Sequence, residues 1–276
     1  MVTEVKREQL RLAAAVYGEA VGDAVGVPYE FRHRDTFHCD GMTGHGSHDQ
    51  PAGTWSDDTA MMLATLDSLV DNDWQVDTED MRRRYLDWAT YGKYTPDGTV
   101  FDIGTTTAEA LSLGHGLDGE WDNGNGSLMR IIPLAFTDCT DDDIRAVSAI
   151  THAHETSMET CVRFIHMART GMSTGQWPSD LYGERLTDIP RSDVRSGSYV
   201  RDTYRAALWC LANTVSYKGC VLAAVNLGGD TDTTAAVAGT LAGLKYGFES
   251  IPVDWLLGLR GRDVVSGIMD KSGWKV

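Results

Sequence analysis

The sequence predicts an all-α fold, and three observations support this prediction. Apolar residues recur at intervals of three and four along several segments, which is the spacing of one helix face. No segment shows a convincing alternation of apolar and polar residues, the pattern of a half-buried strand. Helical signals of the same kind continue on both sides of the irregular stretches, and no repeat of fixed period is present. We therefore expect one all-α domain over residues 1–276, a length that is ample for a sizeable core.

The first predicted helix carries two distinct faces. Its apolar face comprises Leu10, Ala13, Tyr17, Ala20 and Ala24. Gly18, Gly22 and Gly26 lie at intervals of four on another face, which would let a second helix approach closely. Because Glu19 and Asp23 interrupt this glycine face, we expect a tight contact between two helices of a soluble protein rather than a membrane dimer.

The same periodicity predicts the remaining helices. They are expected over residues 61–70, 142–150, 157–170, 200–213, 217–225 and 234–246. The first turn of the segment 142–150 contains aspartates, which the helix dipole favours at that end. Residues 32–53 and 171–199 are rich in turn-forming and polar residues, and we expect irregular loops there.

Charge and composition disfavour several kinds of partner. Lys+Arg total 24 against 40 Asp+Glu, and the net charge of −16 argues against a nucleic-acid backbone or an anionic membrane as the main partner. The 5 cysteines are scattered without a CxxC pair, which indicates reduced thiols. The first residues lack an apolar signal segment, and no run reaches the roughly 18 apolar residues of a membrane helix. We therefore expect a cytoplasmic protein that does not enter a membrane.

Two segments of the chain share an unusual order of residues. "GTWSDDTAMMLATLDSLV" (53–70) and "NLGGDTDTTAAVAGTLAGL" (226–244) both pass from glycine through hydroxyl and carboxylate residues into an apolar helix. One explanation is helix capping, since Asp and Ser accept from the free N–H groups of a helix start. Capping needs only one such residue, however, and each segment has several. The candidate side chains are Ser56, Asp57, Asp58, Asp230 and Asp232.

A divalent metal is the usual reason for grouping carboxylates in this way. If the two helix starts meet in space, four carboxylates crowd together and cannot all remain ionised without a compensating charge. The hydroxyls of Ser56, Thr231 or Thr233 would add oxygen donors. Oxygen-only ligand sets suit Mg²⁺, Mn²⁺ or Ca²⁺ rather than zinc, and four carboxylates are enough for two ions roughly 3.5–4 Å apart.

Six segments match the motifs of one protein family, and they occur in that family's order. They are "GEAVGDAVGVPYEF" (18–31), "GTWSDDTAMM" (53–62), "FDIGTTTAEAL" (101–111), "GNGSLMRIIPLA" (124–135), "THAHETS" (151–157) and "AVNLGGDTDTTAAVAG" (224–239). The chain therefore resembles the ADP-ribosylglycohydrolase family over nearly its whole length. The resemblance implies a compact orthogonal helical domain with two Mg²⁺ or Mn²⁺ ions in a central cleft. The metal ligands that it implies are Ser56, Asp57, Asp58, Asp230, Asp232 and Thr233.

The resemblance also implies the reaction. In this family the metals hold the ribose next to the protein link, and the glycosidic bond at C1 of that ribose is broken. Positive charge develops on the sugar during such a hydrolysis, and a carboxylate near C1 is needed as general base or acid. Glu30 and Asp102 match family carboxylates near the metals, and we expect both to be important for catalysis. Without the family motifs, a surface or capping role would be the more common explanation for Glu30 and for Asp102.

The segment "GNGSLMR" (124–130) is expected to contact the diphosphate of ADP-ribose. Gly124, Gly126 and Ser127 would offer backbone N–H groups, and a helix predicted to begin there would add its dipole. The alternative is an ordinary turn that leads into a helix. The substrate-contacting residues implied by the resemblance are Asn125, Gly126, Ser127 and Met129.

Further side chains are candidates for the nucleoside end of the substrate. His152 matches a family histidine near the distal ribose or the metal cleft, whereas His154 is interpreted as structural. Adenine usually needs an aromatic or apolar platform, for which Tyr199 is the candidate and Trp121 the runner-up. The loop histidines lack metal-ligand spacing and are assigned no role; they are His33, His38, His45, His48 and His115.

The leading functional hypothesis is a metal-dependent hydrolase that releases ADP-ribose from a modified protein side chain, most of all arginine, or from a small molecule. The second is a catalytically silent relative that holds ADP-ribose or has become a structural protein. A silent relative would be expected to lose a metal ligand, whereas this chain keeps all four aspartates of the two helix starts. The third is a two-metal phosphohydrolase acting on a nucleotide, but the segments 101–111 and 124–130 favour the ribose-directed reaction.

Overall fold

The computed structural model describes residues 4–273 and confirms the all-α prediction. Eleven α-helices lie within this range. They are α1 (Glu4–Gly26), α2 (Asp57–Asp71), α3 (Thr78–Tyr91), α4 (Thr105–Leu113), α5 (Asp141–Ala149), α6 (Glu155–Thr174), α7 (Val200–Ala212), α8 (Tyr217–Val225), α9 (Thr231–Tyr246), α10 (Val253–Gly258) and α11 (Arg262–Lys271). None of them combines the length and the apolar character needed to span a bilayer.

One small hairpin interrupts the helical structure. Strand β1 (Asp180–Leu181) pairs antiparallel with β2 (Glu184–Arg185) inside the segment for which the sequence predicts an irregular loop. Strands of 2 residues each are too short to produce an alternating pattern, so periodicity does not reveal them.

Each helix predicted from apolar periodicity overlaps an observed helix. Helix α8 has the predicted bounds, and α9 begins at Thr231, somewhat earlier than predicted. The early start follows from Gly228 and Gly229, whose left-handed backbones turn the chain so that Asp230 directly precedes the helix. Helices α3, α4, α10 and α11 come in addition to the predicted ones.

Helices α1 and α9 run antiparallel with their backbones in contact. A Cβ atom added to Gly22 would lie 2.1 Å from the carbonyl oxygen of Ala235, and one added to Gly26 would lie 2.4 Å from the Cα of Asp232. The predicted close approach along the glycine face is therefore confirmed, and α9 is the partner helix. Helix α9 also packs against α7 and α8, and its residues 231–244 are buried on all sides.

The prediction that a helix begins at the "GNGS" segment is wrong. Residues 124–130 form consecutive turns, and a short 3-10 helix follows at Ile132–Phe136. Pro133 contributes to the difference, because it has no N–H for an α-helical bond and is accommodated at the start of the 3-10 helix instead.

The contact between α1 and α9 predicts a large effect of a single methyl group. Gly22→Ala places a Cβ inside the van der Waals radius of a backbone oxygen, so the helices must move apart. We expect the free energy of unfolding to fall by about 3 kcal/mol, as for severe overpacking, measured by urea denaturation.

Gly267→Ala in α11 is the matched control, because a Cβ there meets nothing within 4 Å. It should be neutral or stabilise the protein by up to about 1 kcal/mol through helix propensity. Equal effects of the two substitutions would contradict the importance of the helix contact.

Candidate active site

The starts of α2 and α9 meet, as the metal hypothesis requires. The hydroxyl of Thr233 in α9 donates to Oδ2 of Asp58 in α2 across 3.3 Å. Ser56 is the N-cap of α2, accepting from the N–H of Asp58 and donating to its Oδ2 at 3.0 Å. Both carboxylate-rich segments therefore contribute to one buried cluster.

Asp23 of α1 holds the first turn of α2 in place. Its carboxylate is fully buried and accepts from the N–H of Ser56 at 3.0 Å and from the N–H and hydroxyl of Thr59 at 3.1 and 2.6 Å. From the sequence alone, Asp23 is noted only as a charged residue between the glycines of the first helix. A carboxylate flanked by Gly22 and Gly26 on a buried helix is the signal that could have identified it.

A cleft of about 390 Å³ opens above this cluster. Predicted site residues that line it are Glu30, Asp57, Asp102, Asn125, Gly126, Met129, His152, Asp230 and Thr233. Ser56, Asp58 and Asp232 are buried beside these residues. Among the residues that the structure describes, no Lys or Arg side chain lines the cleft. The cleft is therefore strongly acidic.

Two groups of side chains within residues 4–273 could hold a cation. In each group the potential ligand atoms lie within 4.8 Å of one another. The groups are Asp23, Asp58 and Asp232, and Glu30, His48, Asp102 and Asp232. Among the aspartates of the two helix starts, three buried carboxylate oxygens have no hydrogen-bond partner: Oδ1 of Asp58, Oδ1 of Asp230 and Oδ2 of Asp232. Because such unpaired buried oxygens are costly, the donor set fits a hard divalent cation.

The electrostatics of the cluster agree with this fit. Burial raises the pKa of Asp57, Asp58 and Asp232 well above the usual value, and neighbouring carboxylates raise it further. Burial also raises the pKa of Glu30 to about 8, although its hydrogen bond with His48 opposes this change. Crowded carboxylates of this kind are stabilised in their charged form by a bound cation.

Glu30 and Asp102 come together at the cleft, as their predicted joint role requires. Both belong to the group that also contains His48 and Asp232. Asp102 has a left-handed backbone with φ of 53°, which is uncommon for a residue other than glycine. His48, to which the sequence assigns no role, bonds to Glu30 through Nε2. His48 lies in a loop, and no pattern in the sequence indicates that this loop contacts Glu30.

The "GNGS" turn lines the cleft and also makes structural contacts within the site. The Asn125 side-chain amide donates to Oδ2 of Asp230 and to the Thr203 hydroxyl, both at 2.9 Å. A Cβ on Gly126 would lie 2.7 Å from the His152 ring, so glycine is needed for close packing there. The Ser127 hydroxyl is fully buried and bonds to Ser148 and Cys161 rather than facing the cleft.

His152 lines the cleft with a neutral ring. Burial first, and the charge of Arg130 second, lower its pKa to about 3, and its Nδ1 bonds to the Thr151 hydroxyl at 2.8 Å. His154 caps α6 by accepting from the N–H of Thr156, in agreement with its structural interpretation.

The two aromatic candidates occupy different positions. Tyr199 lies directly before α7 and forms a β-bridge with Gly124, but its side chain is not part of the cleft wall. Trp121 lines the cleft and is 89% exposed. The adenine platform stays a prediction, with both residues near the "GNGS" turn.

A larger groove of about 700 Å³ lies away from the carboxylates, along α1 and α6. Its arginines, Arg11 and Arg169, donate to main-chain carbonyl oxygens, including those of Met172 and Thr137. Because these groups are occupied by structural contacts, the smaller acidic cleft is the better candidate for the active site.

Comparison with known proteins identifies the class of this molecule. The family model described as ADP-ribosylglycohydrolase matches residues 4–273. The protein is accordingly a hydrolase of glycosyl bonds. It belongs to the ADP-ribosylglycohydrolase family.

Individual relatives agree with this assignment. The chain is 30% identical to the ADP-ribosylarginine hydrolase Tri1 of Serratia proteamaculans, over 93% of this chain and 77% of the relative. It is 30% identical to the ADP-ribosyl-[dinitrogen reductase] glycohydrolase of Rhodospirillum rubrum, over 89% of each chain. A solved structure titled "ADP-ribosylglycohydrolase-related protein complex" superposes with a TM-score of 0.80 at 29% identity, covering 97% of this chain and 98% of the other.

Because the contacts of Asp23 are buried, we expect its loss to destabilise the protein more than the loss of an ordinary helix cap. Asp23→Ala removes the acceptor of three buried donors at the start of α2. We expect the free energy of unfolding to fall by about 2–4 kcal/mol, since each unsatisfied buried donor is costly and relief of carboxylate crowding offsets only part of the loss. Urea denaturation in EDTA measures this change.

Asp77→Ala provides the comparison, because Asp77 caps the exposed start of α3 by accepting from two N–H groups. Its loss should cost about 1 kcal/mol. An Asp23→Ala variant no less stable than Asp77→Ala would show that Asp23 does not hold α2.

Proposed function

We propose that this protein uses divalent cations to hydrolyse the bond between ADP-ribose and a protein arginine. The observation that carries the proposal is the charge of the cleft. Its lining carboxylates, together with the buried Asp58 and Asp232, outnumber the positive charges of two divalent ions, and no Lys or Arg among the described residues lines it. A guanidinium leaving group is cationic and suits such a cleft. The names of relatives in Serratia proteamaculans and Pseudomonas putida, both ADP-ribosylarginine hydrolases, favour the same linkage.

The residues that would hold two Mg²⁺ or Mn²⁺ ions lie at the two helix starts. They are Ser56, Asp57, Asp58, Asp230, Asp232 and Thr233. The unpaired oxygens of Asp58, Asp230 and Asp232 support this assignment. Bound there, the ions would fix the ribose hydroxyls and increase the acidity of a nearby water.

The chain's own residues would orient the substrate and transfer the proton. Glu30 and Asp102 are the carboxylates that can exchange a proton with the attacking water or the leaving nitrogen. Asn125 fixes Asp230 through its amide, and His152 offers a neutral ring to the ribose or adenine side. Gly126 and Met129, which line the cleft, would contribute main-chain or apolar contacts to the diphosphate, and Tyr199 remains the proposed adenine platform. Ser127, the other predicted contact of this turn, is fully buried and would support the turn from behind.

The free thiols of the described cysteines are consistent with a reducing compartment, and we propose a cytoplasmic site of action. ADP-ribosylated proteins would be the main substrates, with small ADP-ribosylated compounds as the alternative.

Release of intact ADP-ribose is the decisive measurement. An arginine-ADP-ribosylated protein would be incubated with the enzyme in Mg²⁺, in Mn²⁺ and in EDTA, and the products identified by mass spectrometry. We expect release with either metal and none in EDTA. Asp230→Ala should lower the rate more than about 100-fold, because even residues that only support metal ligands contribute 10- to 100-fold.

Asp254→Ala is the matched control, since Asp254 is exposed in the first turn of α10, where no cleft residue lies. Release that persists in EDTA would refute the metal dependence. Activity on ADP-ribosylserine but not on ADP-ribosylarginine would refute the linkage, and AMP or phosphate as the product would favour a phosphohydrolase. Metal-dependent binding of ADP-ribose without release would identify a silent relative.

The crowded carboxylates predict opposite effects of one substitution with and without metal. Asp58→Asn removes one charge from a fully buried cluster, so in EDTA the melting temperature should rise. Cation at about 100 times its Kd should stabilise the wild type by about 2.7 kcal/mol, but the variant much less. Differential scanning calorimetry measures both changes, and Asp254→Asn should behave as the wild type. A full metal-induced shift in Asp58→Asn would exclude this residue as a ligand.

A further inference from the structure

We infer that His48 is a positioning residue for Glu30, holding its carboxylate at the edge of the cleft in the orientation needed for proton transfer. Nε2 of His48 bonds to Oε2 of Glu30, and the Ser47 hydroxyl donates to the Glu30 carbonyl oxygen at 2.5 Å. Two consecutive residues of one short turn thus bind both the side chain and the main chain of Glu30. The inference rests on the proposed function, in which Glu30 exchanges a proton.

The His48 ring lies close to two aromatic rings. Its centroid lies 6.0 Å from the ring of Phe31 and 5.3 Å from the ring of Phe101, with tilted planes. The turn that carries it packs directly on the chain before Glu30, because a Cβ on Gly46 would lie 1.9 Å from the carbonyl oxygen of Pro28. A ring held in this way can hold its hydrogen-bond partner in turn.

Backbone strain is concentrated around this contact. His45 and Asp49, which flank the turn, have φ values of 64° and 51°, and Phe31, next to Glu30, has 62°. These residues are not glycine, and such conformations persist only where the surrounding structure determines them. Strained residues also cluster at functional sites. These backbone conformations therefore agree with a turn and a loop that are held together by specific contacts.

The charges of the cleft explain why Glu30 needs a partner. Potential ligand atoms of Glu30, Asp102 and Asp232 lie within 4.8 Å of one another and of the His48 ring. Like charges at that distance repel, and would turn a free Glu30 side chain away from the cleft. Of the described residues, His48 is the one basic side chain bonded to a carboxylate that lines the cleft.

The rival interpretation is that His48 is a metal ligand, because it belongs to a group that could hold a cation. The two interpretations differ in measurable ways. A positioning residue affects turnover more than metal affinity, and another donor in the same place can substitute for it. A ligand affects metal affinity first.

The test compares His48→Ala with His48→Gln and with His38→Ala, an exposed histidine of the same loop region. Steady-state kinetics would use the arginine-ADP-ribosylated protein, and Mn²⁺ titration calorimetry would give the metal Kd. For His48→Ala we expect kcat to fall about 10- to 100-fold with KM changed less than about threefold, the usual size for supporting residues. The amide of His48→Gln should retain most of kcat, added imidazole should restore part of it in His48→Ala, and the Mn²⁺ Kd should stay unchanged.

An unchanged kcat in His48→Ala, or a Mn²⁺ Kd weakened more than about tenfold, would overturn the inference. If the alanine variant does not fold, His48→Gln and His48→Leu form a pair of similar volume in which only glutamine can donate, and equal kcat values would overturn it. NMR of the His48 ring nitrogens gives a readout without catalysis, since Glu30→Gln should shift Nε2 of His48 and leave His38 unchanged. A wild type that releases no ADP-ribose would refute the proposed function, whereas an unshifted Nε2 would refute the His48 contact.

Discussion

The active site depends on one contact, the antiparallel packing of α1 against α9 through glycine. Because Gly22 and Gly26 have no side chains, the two backbones approach until no further atom would fit between them. This distance fixes where α9 begins relative to α1 and places the main chain of Asp232 against Gly26. Asp23, between the two glycines in sequence, then binds the start of α2. One helix pair thus sets the relative positions of carboxylates from three parts of the chain.

Carboxylates in a core are unfavourable unless their surroundings compensate for the lost water. Here the compensation is unequal. Asp23 has a complete set of donors, whereas Asp58, Asp230 and Asp232 each keep one oxygen without a partner. Asp23 fixes the start of α2 and also lies within 4.8 Å of Asp58 and Asp232, whose unpartnered oxygens are free to bind a cation. Within this cluster, hydrogen bonding distinguishes Asp23 from the three aspartates of the helix starts, whereas burial does not, since all four are buried.

The parts of the fold that follow from local pattern could be predicted from the sequence. Helix α8 has the predicted bounds, whereas the other helices predicted from periodicity overlap observed helices with shifted bounds. Helix α3 is missed although its buried Met81, Tyr85 and Trp88 have the spacing of one helix face. The helix expected at "GNGS" does not form, and Pro133 contributes to this difference. The contact between the starts of α2 and α9 could not be predicted from the sequence, because it depends on packing between segments that are far apart in the chain.

The site is built partly from buried helices and partly from loops. Its residues on the helices could be predicted from the sequence more readily than those on the loops. The helix starts carry motifs, because capping and packing restrict which residues can stand there. The contact of His48 with Glu30 joins two irregular loops, in which no periodicity of the sequence predicts which residues meet. Exposed apolar residues that border the cleft, Phe31 and Trp121, also lie outside the helices. A scaffold that fixes the carboxylates from buried helices leaves the loops free to vary, so the choice of substrate would be made where the sequence is least informative.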